Sequence, residues 1–530
     1  MAEMPERRFR YAGRLRKARP GATLLESLPG AGLPNVVRSV RYHRPRAAFC
    51  GLGHCTGCLV RANGVPNVRA CQFVVCDGDR VEPANGWPSP RFDLLGILDV
   101  LLPNGIDTLR GFRRPAWAAG AYQRVVRRLS GFSSLPRTAP RTAAIPPRSI
   151  DADAVVVGAG PGGRAAAERL VARGVRPLVL DRSLAAFAID GADAIGGATA
   201  VFLPPPRTSP TASFTMLATT DDGGALTVRA PTVVLAPGSY DASLLFEGND
   251  RPGVMTADLA IRLSRGPRGY PLRRAIVVGG GSRAAAVVDR IGSSVGAVVA
   301  PGEIGPEVAR RASDLEIPLY PRTLLLRANG RRHVRSVGLR TRGGGPRFSL
   351  DCDSIVLAHR RLPNAQLFFQ AGARTRWQPE PGAYFPEVTT DGTTTVPGLS
   401  AAGSAGGPAG GPAPDPSAAP ELAGYYRELV REPRRGKWIA CACEDVLLSE
   451  LEQAVKRGFT GMEVVKRYTG LGTGLCQGRY CAPDALLLLS ILEGRPAPAV
   501  GFITQRPPVV PTRLDALASL HGEFLAEVVE

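Results

Sequence analysis

Eight of the ten cysteines in this 530-residue chain fall into two sets of four. Cys50, Cys55, Cys58 and Cys71 are spaced C-x4-C-x2-C and then x12-C, whereas Cys441, Cys443, Cys476 and Cys481 form a C-x-C and, 32 residues on, a C-x4-C. Four thiolates can hold two sulfide-bridged irons or a single zinc. In the first set three cysteines share a loop with Gly51, Gly53 and Gly57, and missing side chains there let backbone amides approach the sulfurs. A structural zinc site would normally use two separated C-x2-C knuckles, so a [2Fe-2S] cluster is expected; buried thiols without a ligand are the other alternative. In the second set zinc is a closer rival to a second [2Fe-2S] cluster, since four thiolates suit it equally well, while a C-x-x-C dithiol oxidoreductase is excluded by the spacing. Cys76 is expected to be a core bystander.

A second chemistry lies in the glycines. Gly158-Ala-Gly160-Pro161-Gly162-Gly163 follows the apolar run Val155 to Val157 and opens a helical pattern over 164–173. A diphosphate can rest on bare backbone N–H groups at such a helix start. The next strand, Pro177 to Leu180, ends in Asp181, which is placed to bond a ribose hydroxyl pair, so an ADP-containing nucleotide is expected. Arg182 would favour a phosphorylated ribose, or is incidental in a chain with so many arginines. A related unit, Gly279-Gly280-Gly281-Ser282-Arg283-Ala284, has alanine at the third glycine position, and its following strand ends in Pro301-Gly302 with no acid. It is read as a nucleotide fold whose site is weak or vacant, with a working nicotinamide site as the alternative.

These sites need elements to hold them. Each glycine turn sits between a β-branched run and an Ala/Arg-rich helical pattern, the α/β arrangement. Pro-rich stretches at 133–147 and 403–420 read as linkers. The first cysteine spacing is similar to that of plant-type ferredoxins, with Leu24 to Leu28 fitting the short helix of a β-grasp. The second resembles the bacterioferritin-associated ferredoxin-like domain, with helical patterns over 446–457 and 462–468, and helix N-termini behind each cysteine pair would stabilise thiolates. Val233 to Ser239, with Gly238, and Ile355 to Asn364 resemble the closing strands of two-dinucleotide-binding flavoproteins. Gly398 to Gly407, with Gly403 as a further candidate, resembles their return motif, and Ser404 stands where an Asp normally meets the flavin's ribityl chain.

The expected fold class is therefore α/β multidomain: a ferredoxin-like β-grasp (1–115), a linker (116–150), an FAD or nucleotide domain (151–262 and 376–415), a second Rossmann unit (263–375), a linker (416–440), a small helical [2Fe-2S] domain (441–500) and a tail (501–530). With SVRYHRPR (39–46), GVPNVRAC (64–71) and FEGNDRPGVM (246–255), the order of sites resembles the alpha-subunit family of heteromeric sarcosine oxidases, whose relatives serve opine oxidases, dye-linked proline dehydrogenases and hydrogen cyanide synthase. The resemblance implies substrate oxidation at a flavin on a separate beta subunit, further small subunits, an FMN at a subunit interface, and FAD, NAD or ATP in the alpha subunit. Sarcosine oxidase alpha subunits continue into a folate-binding region that is not present before Glu530, so folate-coupled demethylation is not expected here. The intact first cysteine set points to the opine, proline or cyanide branch.

No substrate constellation is expected on this chain, because His43, His54, His333, His359 and His521 neither cluster nor flank a nucleophile. A net charge of +20 suggests nucleic acid at first sight, but 62 of the 66 basic residues are arginine, a bias shared with 62 glycines and 48 prolines. Residues 1–150 hold 24 Lys/Arg against 9 Asp/Glu. A basic N-terminal domain facing its own cluster or a protein partner explains this better than nucleic acid. Arg41, Arg44 and Arg46 are expected to offset cluster charge, to bind a partner, or to lie on a solvated face. The absence of an apolar leader or of a run near the ~20 residues of a membrane span leads to an expected cytoplasmic location, with the inner-membrane periphery left open. The function expected is a nucleotide-binding, electron-transferring subunit; a self-contained NAD(P)H reductase and a zinc-binding scaffold are the alternatives.

Overall fold

The structure, a computed structural model, describes residues 6–28, 37–90, 92–103, 105, 145–183, 188–205, 213–265, 272–379, 381–406 and 420–519. Most of the 116–150 linker, residues 407–419 of the second Pro-rich stretch and residues 520–530 of the tail lie outside them. The chain forms two compact units, one of residues 1–139, 241–360 and 417–503, the other of 140–240, 361–416 and 504–530.

The first unit opens with a mixed five-stranded sheet in the order Arg14–Ala18, Arg7–Tyr11, Arg80–Pro83, Leu59–Ala62, Val65–Arg69. A short helix, Leu24–Ser27, closes it, and Thr23 and Glu26 form its capping box. A parallel five-stranded sheet follows, in the order Val254–Thr256, Ser354–Leu357, Ala275–Val278, Val295–Val299, Leu319–Tyr320. Its strands read as unbroken apolar runs because helices cover both faces of a parallel sheet. Phe9, Val60 and Val81 of the first sheet and Leu24 of its helix join Leu259, Leu263, Val287 and Val288 of the second layer in one core.

The same unit ends in a small helical region. The hairpin Ile439–Cys441 and Val446–Leu447 leads into helices Leu448–Lys456, Met462–Thr469 and Ala482–Glu493. The last of these is buried from Ala482 to Leu489, with Asp484 the one charged residue in that stretch, as expected of a helix packed on every side. Residues 420–440, expected to be a linker, instead carry the helix Pro420–Leu429. Tyr425, Tyr426 and Leu429 anchor it, fully buried; aromatic area of this size overrides the loop signal of the neighbouring prolines.

The second unit is a parallel sheet in the order Asp193–Ile195, Pro177–Leu180, Ala154–Val157, Thr232–Leu235, Leu399–Ala401. A four-stranded sheet that includes Phe214–Thr220 and Ala225–Ala230 packs with it through Val155, Leu180, Phe214, Met216 and Leu235. The helix Pro161–Val171 begins at the end of the central strand, with proline in its first turn.

Candidate functional site: two sets of paired cysteines and a glycine cradle

The loop bearing Cys50 and Cys55 is shaped by three glycines. Gly51 and Gly53 have φ of +69° and +75°, the left-handed region that costs glycine least. A Cβ on Gly57 would stand 2.2 Å from the Ala47 carbonyl oxygen. The parallel-sheet layer ties the loop down: Thr256 donates from its N–H and hydroxyl to the Phe49 carbonyl at 3.0 and 3.2 Å, and Arg262 Nη1 donates to the Gly51 carbonyl at 2.6 Å. Leu52 and Cys55 each donate an N–H to Cys50 Sγ at 3.4 Å. Backbone N–H groups of Gly57 and Gly53 reach Cys55 and Cys71.

All four of these thiols are buried, and they meet in pairs, Cys50 with Cys55 and Cys58 with Cys71. Burial penalises the thiolate throughout. Hydrogen bonds from Cys55 and the loop amides nevertheless pull Cys50 below its ordinary range, and Cys58 does the same for Cys71, while Cys55 and Cys58 are pushed well up.

Cys441, Cys443, Cys476 and Cys481 are also buried together. Cys441 meets Cys481, Cys443 meets Cys476, and Cys476 also reaches Cys481. Cys481 is the N-cap of the helix Ala482–Glu493, where the dipole favours negative charge. The expected helix start behind the other pair is absent: the strand Val446–Leu447 follows Cys443, and the helix begins only at Leu448. Gly474 permits the closeness of the two turns, since a Cβ there would lie 2.5 Å from Cys443 Cβ.

A [2Fe-2S] cluster takes two thiolates on each of two irons, whereas zinc takes four around one point. The first set's two thiol pairs fit the first demand, whereas in the second set Cys476 touches both Cys443 and Cys481, so its four thiols lie together. Among the described residues no group of three or more His, Cys, Asp or Glu side chains is arranged to hold one metal ion. The loops of both sets line a single cavity, to which Cys55 and Thr56 contribute alongside Cys441, Cys443, Cys476 and Cys481.

Arg41, Arg44 and Arg46 face carboxylates of this chain rather than open solvent. Asp445, fully buried, accepts from the Arg41 and Tyr42 N–H groups at 2.8 and 3.2 Å and from the Arg46 guanidinium. Asp250 pairs with both Arg44 and Arg46 at 2.8 Å, and Arg44 and Lys437 each reach Asp99 at 2.9 Å. This network pins the second cysteine hairpin to the turn 39–46. Sequence reasoning missed Asp99 and Asp445; Asp250 stands within the run FEGNDRPGVM, which does not by itself reveal its partners. His43 Nδ1–H donates to the Asp93 carboxylate, 2.9 Å away, in a buried turn. His54 is buried in the cysteine loop and His359 beneath the second glycine turn, where burial drives its pKa well down. Cys76 is exposed rather than a core residue.

In the second unit the glycines have separate reasons. A Cβ on Gly163 would meet the Gly158 carbonyl oxygen at 1.8 Å, one on Gly162 would meet Gly403 Cα at 2.5 Å, and one on Gly158, whose φ is +105°, would meet the Ala236 carbonyl oxygen at 2.2 Å. These serve packing. At Gly160, the N-cap of the helix Pro161–Val171, a Cβ would meet nothing within 4 Å. That leaves an open cradle of the kind a diphosphate fills. Gly238, with φ of +71°, is equally open, and Ser404 lies in the turn Gly403–Ala405 facing Gly162. Asp181 accepts at 2.7 Å from both Ala159 N–H and Ser183 N–H, so it braces the glycine turn. Arg182 acts electrostatically on Asp221.

The first unit's own glycine turn is more closed. A Cβ on Gly280 would stand 2.1 Å from the Glu303 carbonyl oxygen, and Gly305 N–H donates to the Gly280 carbonyl at 2.8 Å. Gly281 caps the helix Ser282–Ile291, while Arg283 is bound by Asp241 at 2.8 Å and Asp258 at 2.5 Å.

Comparison with known proteins agrees with this layout. Residues 7–86 match the 2Fe-2S iron-sulfur cluster binding domain, and residues 435–521 the sarcosine oxidase A3 domain. The alpha subunit of sarcosine oxidase from Rhizobium meliloti (strain 1021) is 26% identical over 97% of this chain, and an opine oxidase subunit of Agrobacterium tumefaciens (strain Ach5) is 25% identical over 69%. The chain is thus similar to the alpha subunits of the sarcosine and opine oxidases. It spans 58% of the length of the Rhizobium protein and 92% of the Agrobacterium one. The crystal structure of L-proline dehydrogenase from P. horikoshii shares the fold, with a TM-score of 0.65 at 19% identity over 97% of both chains. The chain has a mixed α/β fold, and its N-terminal part matches an iron–sulfur cluster binding domain.

Proposed function

We propose that this chain is the nucleotide-binding, electron-transferring alpha subunit of a heteromeric amine or imino-acid dehydrogenase, of the opine, proline, sarcosine or glycine-oxidising kind. The observation that carries the reading is that both four-cysteine sets are buried within one unit and open on one cavity. Cys50 with Cys55 and Cys58 with Cys71 would hold one [2Fe-2S] cluster; Cys441 with Cys481 and Cys443 with Cys476 would hold the other. Such clusters supply one-electron exchange at potentials set by charge, burial and hydrogen bonds to sulfur. This chain's part is to keep the thiols buried, to aim amide N–H groups at them, and to fix the two loops together through Asp445 and Asp250.

The cradle at Gly160, with Gly158, Pro161, Gly162, Gly163, Gly238, Gly403 and Ser404 around it, would bind FAD or another ADP-containing nucleotide such as NAD or ATP. Asp181 supports that cradle by bracing Ala159. The turn at Gly279, Gly281 and Ser282 serves the fold: the 303–305 segment packs on Gly280, and the charge of Arg283 is spent on two carboxylates. Substrate oxidation then belongs to a flavin-containing beta subunit, with an FMN at the interface.

Affinity purification of the tagged chain from its native cells tests the reading. A co-purifying flavoprotein, and dehydrogenase activity only in the complex, are the expected results. The isolated chain oxidising NADH with ferricyanide at enzyme-like rates would contradict it.

A further inference from the structure

Thr56 belongs to the first cysteine loop, between Cys55 and Cys58, yet its hydroxyl donates to Cys443 Sγ of the second set at 3.4 Å. Tyr480 precedes Cys481 of the second set, yet its ring meets Phe49, the neighbour of Cys50, edge-on with centroids 5.3 Å apart. The two loops are therefore packed together at the rings, and the first offers a hydroxyl to a sulfur of the second.

Both side chains are held in place from behind. Gly57, pressed on the Ala47 carbonyl, fixes the turn that presents Thr56. Ser243 Oγ bridges the Tyr480 carbonyl oxygen, 2.6 Å away, and Asp484 Oδ2, 2.7 Å away. Asp484 is in turn bound to the Arg360 guanidinium, and both of these residues are buried. A hydroxyl aimed at a ligand sulfur stabilises the more negative, reduced form of the site and so raises its potential.

We infer that Thr56, carried by the first cysteine set, is a positioning residue that sets the reduction potential of the second. The inference rests on the reading that both sets hold [2Fe-2S] clusters. It goes further in assigning a residue that is not a ligand, and in making the second site depend on the first loop.

The test is a dithionite titration of the full-length chain followed by electron paramagnetic resonance, with the two signals assigned from Cys58→Ala and Cys443→Ala. Thr56→Val is expected to lower the midpoint of the C-terminal signal and leave the N-terminal one in place, and Thr56→Ser to restore it. Tyr480→Phe, which keeps the ring contact with Phe49, is expected to leave both midpoints in place. Iron content should match the wild type in all three. Two clusters whose midpoints do not move in Thr56→Val, or which move with the loop that carries the mutation, would overturn the inference while leaving the two-cluster reading intact. A chain that holds zinc and shows no cluster signal would overturn both.

Discussion

A single methyl group separates two kinds of glycine in the second unit. Gly163→Ala forces a Cβ to 1.8 Å from the Gly158 carbonyl oxygen, so the helix start must move and the unit is expected to misfold or express poorly. Gly160→Ala meets nothing within 4 Å, at an ordinary φ of −66°. Its thermal unfolding should match the wild type while its bound nucleotide, measured by extraction and chromatography, is lost. Retention of nucleotide by Gly160→Ala would move the binding site elsewhere. At the cysteines, Cys443→Ala should remove about two irons and two sulfides per chain and leave the other two, because each set serves its own cluster. Loss of all iron would mean one shared site.

Between residue and molecule, the element that matters is the turn 39–46 and the carboxylates that hold it. Burial alone would raise the pKa of Asp250, but Arg44 and Arg46 hold it far below the usual carboxylate range. That pairing stabilises the fold fully at neutral pH. It is lost only as the pH falls below the unfolded carboxylate value, about 3.9, towards the folded one. Removing one partner of a buried pair costs roughly 3–5 kcal/mol. Asp250→Asn is therefore expected to lower the urea midpoint at pH 7 and to flatten its decline below about pH 4; an unchanged midpoint would show that the network is not structural. These contacts also mark the limit of what the amino-acid order conveys. The strand, glycine turn and helix units were legible because periodicity and turn chemistry are local. Asp445 and Asp99 gave no signal, since a lone aspartate announces its partner only once elements 404 and 55 residues away are brought beside it. The helix Pro420–Leu429 was hidden for a related reason, as its stability comes from tertiary burial of Tyr425 and Tyr426 rather than from local propensity. Spacing revealed all eight cysteines, but only the folded chain shows which of them meet.

For the whole molecule, the division of labour is uneven. One unit, of residues 1–139, 241–360 and 417–503, contains both cysteine sets and the closed glycine turn; the other carries the open cradle. Among the described residues no helix is long and apolar enough to cross a membrane. The basic excess of the N-terminal region has a partly internal use, since Arg41, Arg44 and Arg46 are consumed by Asp445, Asp250, Asp99 and Glu450. The proposal therefore depends most on what the eight thiols bind. Iron, zinc and acid-labile sulfide should be measured on the full-length chain, purified without oxygen and reconstituted with no metal in excess. About four irons and four sulfides per chain, with zinc absent, is the result the two-cluster account predicts. Zinc at one or two per chain without iron or sulfide would contradict it.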